Sequence, residues 1–233
     1  MIEIKDISYK YENEFVLRNI SLKIKEGDFL AIIGHNGSGK TTLIKHFNGL
    51  LTPSKGDVVV DGLNTKKDDW EIRQKIGIVF QNPEDQLINS IVEEDVAFGL
   101  ENLGVLPGEI EKRVKGILEK LSISHLAKRN VNDLSFGQKQ LVALAGVLAM
   151  NPKYNIFDEP TTMLDPKNKL NIMDIMNKLN KKGATIILIT NNLDDIKKNV
   201  KSVVLLKEGR IIFNGVVKDL NKEILKNAYL YEE

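Results

Sequence analysis

Apolar and charged residues alternate from the start of the chain. Met1-Ile2-Glu3-Ile4-Lys5-Asp6-Ile7 has the period of a half-exposed strand rather than of a signal peptide. Ile2 to Ser8 and Phe15 to Ile24 predict antiparallel strands. Gly27-Asp28 turns the chain into Phe29-Leu30-Ala31-Ile32-Ile33, a continuous apolar run of the kind buried in parallel sheets. Thr42 to Phe47 reads as a helix, and Val58 to Val60 and Ile76 to Phe80 as strands. Asn82-Pro83 breaks the chain just after the last of these. From about residue 84 to 150 the period becomes helical: Ile91, Val92, Val96, Phe98, Leu100, then Ile110, Val114, Ile117, Leu118 and Leu121. Strand and helix alternate again through Ile156-Phe157, Ala184 to Ile189 and Val203 to Leu206. The pattern predicts an α/β molecule. It has a mostly parallel core, an antiparallel layer from the N-terminus and an inserted helical block.

Composition narrows the chemistry. A net charge of +1 over 233 residues gives no electrostatic case for nucleic acid. Lys197-Lys198 reads as a solvated helix face. Without cysteine, disulfides and thiolate zinc sites are excluded. The longest apolar stretch, Leu141 to Met150, is about half of what crosses a bilayer, so membrane association is expected through a partner.

The most informative residues are 34–41, Gly-His-Asn-Gly-Ser-Gly-Lys-Thr. They fit the phosphate-binding pattern G-x-x-x-x-G-K-[ST] between a strand and a helix. Gly34, Gly37 and Gly39 let the backbone turn its N–H groups onto phosphate oxygens. His35, Asn36, Ser38 and Thr42 complete the loop. Lys40 is expected on the β/γ-phosphates, and the Thr41 hydroxyl on Mg²⁺. A second motif, Asn155-Ile156-Phe157-Asp158-Glu159-Pro160, ends a strand in two carboxylates. Ligands of α/β sheets bind at such strand ends. Asp158 is expected to hold Mg²⁺ and Glu159 to polarise the attacking water. Whether Asn155 faces the rim is left open by the sequence.

Leu134-Ser135-Phe136-Gly137-Gln138 resembles the Leu-Ser-Gly-Gly-Gln signature of ATP-binding-cassette (ABC) ATPases at four of its five positions. The family's order is also kept: phosphate loop, Gln81 after a strand, signature, carboxylate pair, then Asp165 in Thr162-Met163-Leu164-Asp165-Pro166 as the D-loop. The resemblance spans the chain. It implies the ABC ATPase fold, one domain over 1–233. Its RecA-like P-loop NTPase core and β layer cover about 1–83 and 151–215, its helical subdomain about 84–150 and a short tail about 216–233. The resemblance leaves open whether the tail caps the core or supports dimer contacts. It also implies ATP and Mg²⁺, with Gln81 joining Thr41 and Asp158 near the metal. Ser135 and Gly137, at a helix N-terminus, would contact the γ-phosphate of ATP on an opposite subunit. Phe136 replaces a glycine but keeps its N–H, and Gln138 is retained. Tyr11 occupies the place of an adenine-stacking aromatic, although Tyr9 shares its strand face.

One departure matters. Such ATPases carry a histidine after the last core strand; here Asn191 follows Ile186 to Thr190. None of His35, His46 or His125 can replace it by position, and His46 and His125 read as ordinary surface or packing residues. A neutral donor implies slow hydrolysis beside a usable signature, and so one half of an asymmetric heterodimer; a homodimer tolerating Asn191 is the alternative. Phe80-Gln81-Asn82-Pro83-Glu84-Asp85-Gln86 resembles the corresponding segment of energy-coupling-factor and cobalt-type importers. That resemblance implies a second ATPase subunit, a transmembrane coupling protein and a substrate-binding membrane protein for vitamins or metal ions. It also implies a place on the cytoplasmic membrane face of a prokaryote. Glu84, Asp85, Glu93, Glu94 and Asp95 either form an acidic groove for basic coupling helices or a solvated face. A non-transport ATPase and a nucleotide-binding assembly subunit remain the other two readings.

Overall fold

The computed structural model describes residues 1–162, 164–196, 200–228 and 230. The Lys197-Lys198 face and Met163 of the D-loop segment lie outside them. Two sheets form. The first is antiparallel, in the order β2 (Glu14–Ile24), β1 (Ile2–Tyr11), β4 (Lys55–Val60), β5 (Leu63–Asn64). The second has six strands in the order β10-β9-β3-β8-β7-β6. These are β3 (Phe29–Ile33), β6 (Ile76–Val79), β7 (Tyr154–Asp158), β8 (Thr185–Thr190), β9 (Ser202–Lys207) and β10 (Arg210–Val216). All its pairings are parallel except β9 with β10.

Alternation along the central strands divides the core. Phe29, Ala31, Ile33, Phe157 and Leu188 face one cluster, and Leu30, Ile32, Ile156 and Ile189 face another. The first cluster packs on helices α3 (Val92–Asn102), α4 (Pro107–Lys120), α5 (Phe136–Ala149) and α6 (Pro166–Lys181). The second lies under the antiparallel sheet, α1 (Lys40–Lys45) and α2 (Asp69–Lys75). Strands covered on both faces have no polar side, which is why they read as unbroken apolar runs.

The helical block shares its core with the sheet. Val142, Leu144 and Ala145 of α5 belong to the same cluster as Phe157 and Leu188. The described part of the tail lies on this cluster too. Leu225 of α7 (Lys222–Asn227) and Ala228 are buried in it, so the described part of the tail covers the core. Asn155 does not face the rim: it is buried in β7, its Nδ2 donating to the Pro152 carbonyl at 3.0 Å. The amide ties its strand to the turn before it.

Parallel register brings the motifs together. Ile33 lies opposite Thr190, Asp158 opposite Ile189, and Val79 opposite Phe157. Gly34, Gln81, Glu159 and Asn191 therefore all leave the sheet at one carboxyl edge.

Candidate functional site

The loop from Gly34 to Thr41 joins β3 to α1. Gly34 has no alternative. A Cβ there would lie 2.3 Å from the Leu206 carbonyl oxygen and 2.6 Å from Ser38 Oγ. Gly39, immediately before α1, has φ +100°, which L side chains rarely adopt. The loop curls around the Lys40 side chain, whose Nζ donates to the carbonyls of Gly34 (2.8 Å) and His35 (3.1 Å). Burial pushes the Lys40 ammonium below its ordinary pKa, against the pull of Glu159 and Asp158.

The Thr41 hydroxyl donates to Asp158 Oδ2 at 2.7 Å. Burial raises the Asp158 pKa, and this hydrogen bond opposes the rise. Its other oxygen, Oδ1, is buried without a partner. Glu159 Oε1 lies 3.9 Å from Lys40 Nζ. Its Oε2 accepts from Gln81 Nε2 at 3.0 Å and from the Thr162 hydroxyl at 3.4 Å. Asn191 reaches the phosphate loop, its Nδ2 donating to Asn36 Oδ1 at 3.2 Å. Lys40, Thr41, Gln81 and Glu159 line one open cleft of about 310 Å³, with Asn36, Gly37, Gly39, Thr42 and Val16.

The other expected residues lie elsewhere. Ser135 is the N-cap of α5 in a capping box: its Oγ accepts from the Gln138 N–H (3.4 Å), and its own N–H donates to Gln138 Oε1 (3.0 Å). Asp165 caps α6, its Oδ1 accepting from the N–H groups of Lys167 (3.0 Å) and Asn168 (3.1 Å). These hydrogen bonds, led by that from the Asn168 backbone, hold its pKa down. Neither these residues nor Phe136 and Gly137 line the cleft. Tyr11 is 48% exposed and meets Tyr9 edge-on at 4.9 Å; Val16, not Tyr11, lines the cleft. His46 is fully buried, with Nδ1 2.7 Å from the Thr42 carbonyl oxygen, and burial lowers its pKa. It is a packing residue, while His125 is exposed.

Three contributors had no role assigned from the sequence, although Thr162 and Gln86 stand within the D-loop segment and the segment after β6. Thr162 holds Glu159. Gln86 accepts from the Phe80 N–H (3.1 Å) and donates to the Ile78 carbonyl (3.1 Å), fixing the strand end before Gln81. Gln140 of α5 donates to the Phe80 carbonyl (3.3 Å).

The acidic segment is largely committed to internal contacts. Glu84 pairs with Lys139 and Glu93 with Lys128, while Asp95 Oδ1 accepts from the N–H groups of Ile88 (2.7 Å) and Asn89 (2.8 Å). The neighbouring cleft between α2 and α3 is instead largely apolar, with Trp70, Ile88, Phe98 and Met150 among its lining. A separate cleft between α3 and α4 is lined by Glu93, Glu94, Glu101, Glu111 and Glu119, so part of the acidic segment does face a groove.

A cleft built this way suits a phosphate chain on the loop amides, a lysine released from two carbonyls, and a carboxylate beside the terminal phosphate. Among the described residues no cluster of three His, Asp or Glu exists for a metal. The partnerless Asp158 Oδ1 beside Thr41 instead fits a Mg²⁺ that takes its remaining ligands from phosphate and water.

Known proteins point the same way. A family model described as ABC transporter matches residues 17–162. The energy-coupling factor transporter ATP-binding protein EcfA1 of Clostridium novyi is 45% identical over 240 residues, covering 99% of this chain and 85% of its own. The solved structure of cbiO1 from Clostridium perfringens, part of the ABC transporter complex cbiONQ, is 39% identical with a TM-score of 0.84; the match covers 98% of this chain and 94% of that one. A dimeric ATP-binding cassette, MJ0796, in a post-hydrolysis state bound to ADP and Pi, is 32% identical with a TM-score of 0.84, over 94% of this chain and all of that one. No helix among the described residues is long and apolar enough to cross a membrane.

Proposed function

This chain belongs to the ABC transporter family of ATPases, and on that premise we propose that it energises an importer of the energy-coupling-factor type as half of an ATPase dimer. The observation that carries the reading is the joining of Lys40, Thr41–Asp158 and Gln81–Glu159 around one phosphate loop. ATP lies with its phosphates on the amides of residues 36–41. Lys40 leaves the Gly34 and His35 carbonyls for the β/γ-phosphates, a small movement because its ammonium is already at the loop centre.

Thr41 and Asp158 would hold Mg²⁺, which would supply charge neutralisation for the β/γ-phosphates. Gln81 and Thr162 aim the Glu159 carboxylate, which accepts the proton of the attacking water. Asn191 supplies a neutral donor toward the terminal phosphate, where its range through Asn36 already reaches. Water is excluded, and the site completed, by the other subunit. Ser135 and Gly137 of this chain serve the opposite nucleotide in the same way; their absence from the chain's own cleft supports that division. The dimeric cassette bound to ADP and Pi supports it as well.

The weakened donor Asn191 beside a usable signature supports an asymmetric pair, with this chain's cleft the slower. Membrane partners dock at the apolar cleft of Trp70 and Ile88, which lies next to the segment following Gln81. The reading is tested with Glu159→Gln in the transporter complex purified from membranes. ATP is expected to stay bound while turnover at this cleft falls by about 10²–10⁴. Unchanged turnover refutes the assignment.

A further inference from the structure

The mechanism above leaves one buried carboxylate unused. Asp195, in the turn after β8, is 4% exposed. Its Oδ2 accepts from the hydroxyls of Thr161 and Thr190, each at 3.1 Å. Its Oδ1 pairs with Lys169 Nζ at 2.8 Å. A buried carboxylate is costly unless donors converge on it, and here three do.

Each partner sits next to a residue of the site. Thr161 is adjacent to Thr162, which holds Glu159. Thr190 directly precedes Asn191, and its Oγ also accepts from the Asn192 N–H at 3.0 Å. Lys169 lies in the first turns of α6, where its N–H donates to the Asp165 carbonyl at 3.0 Å. The carboxylate thus joins the loop after β7, the loop after β8 and the start of α6. Parallel pairing of β7 with β8 ends at Asp158 and Ile189; one more backbone bond, from the Glu159 N–H to the Ile189 carbonyl at 2.9 Å, follows it, and beyond that the strand ladder gives no further tie between the two loops.

We propose that Asp195 is a positioning residue for ATP hydrolysis: it locks the Glu159 loop and the Asn191 loop in register with each other and with the Asp165 end of α6. The proposal rests on the catalytic reading of Glu159. Its size follows from geometry, since a displacement of about 1 Å at a reacting group can cost about 10² in rate. ATP affinity is set by the phosphate loop, which Asp195 does not touch.

The test uses the membrane-purified complex. Glu159→Gln first defines the share of turnover that belongs to this cleft. Asp195→Asn, which keeps the shape and removes the charge, is expected to lower that share about 10- to 100-fold. ATP affinity is expected to stay within about twofold, separating kcat from binding. Thr161→Val with Thr190→Val is expected to reproduce the loss, and adding Asp195→Asn to the pair to change little more. If Asp195→Asn fails to assemble, Thr161→Val alone carries the comparison. Wild-type turnover in the variant overturns the proposal. So does a fall in affinity matching the fall in kcat, or simple additivity with the threonines. Should Glu159→Gln leave turnover at this cleft intact, measured per site, the catalytic reading fails and takes this proposal with it; loss there with Glu159→Gln but not with Asp195→Asn refutes the positioning role alone.

Discussion

Glu159 holds φ at +46°, a conformation that costs energy in a residue with a Cβ. Its surroundings fix it there. The backbone N–H donates to the Ile189 carbonyl at 2.9 Å, and the carboxylate is gripped by Gln81 and Thr162. The bend turns the side chain off the strand line and toward Lys40. Next to this well-held group, Asn191 is the weak element of the cleft. Its amide donates to Asn36, but it carries no charge and is shorter than a histidine. Losing one well-placed donor to a transition-state charge costs about 10²–10³ in rate. Asn191→His is therefore expected to raise turnover at this cleft at least about tenfold, with ATP affinity changed little. The measurement is ATPase rate per site in the assembled complex. An unchanged rate would show that the substitution does not limit hydrolysis and would remove the argument for an asymmetric pair.

At the scale of elements, α5 links the chain's own cleft to the signature it presents elsewhere. Ser135 caps the helix, and two consecutive residues of the same helix hold the segment around Gln81, through Gln140 on Phe80 and Lys139 on Glu84. Ser135→Ala removes one half of the capping box, a loss of about 0.5–2 kcal/mol in helix stability. If Ser135 also binds the opposite nucleotide, the variant loses turnover at the partner's cleft while its own cleft still binds ATP. A thermal melt and per-site ATPase rates together separate the two effects. The loops, the apolar strands and the helical block were legible in the chain because each is a local pattern. Strand order was not, since β3 pairs with β8 and β9 across most of the sequence. Nor was β10, whose exposure alternates without a long apolar run. Of the site, the phosphate loop and both carboxylates could be named in advance. Asp195 could not, because Thr161 and Thr190 converge on it only when β7 and β8 lie side by side; Thr162 meets Glu159 within one loop, but nothing in the spacing marks that contact. Which of its two readings the acidic stretch takes could not be seen in the sequence: Glu84 and Glu93 are paired and Asp95 accepts backbone N–H groups, while Glu93 and Glu94 also line a cleft.

At the scale of the molecule, the phosphate cleft and the apolar cleft lie at opposite ends of a short path. Gln81 touches Glu159, the preceding Phe80 is held by Gln86 and Gln140, and Gln86 also lines the apolar cleft. A displacement of Gln81 would therefore be passed to a surface where Trp70 and Ile88 are 57% and 66% exposed. Large apolar side chains placed together on a surface mark an interaction site more than scattered ones do. Aromatic anchors of this kind commonly carry about 2 kcal/mol or more of a binding energy. Placing a charge among them should break the contact without reaching the phosphate loop. Ile88→Glu is expected to bind ATP as the unaltered chain does, yet to be lost from the membrane partners proposed for the chain. Trp70→Ala should weaken the same association more mildly, because it removes area without adding a charge to desolvate. Retention of both variants on the membrane complex would place the coupling surface elsewhere on the molecule.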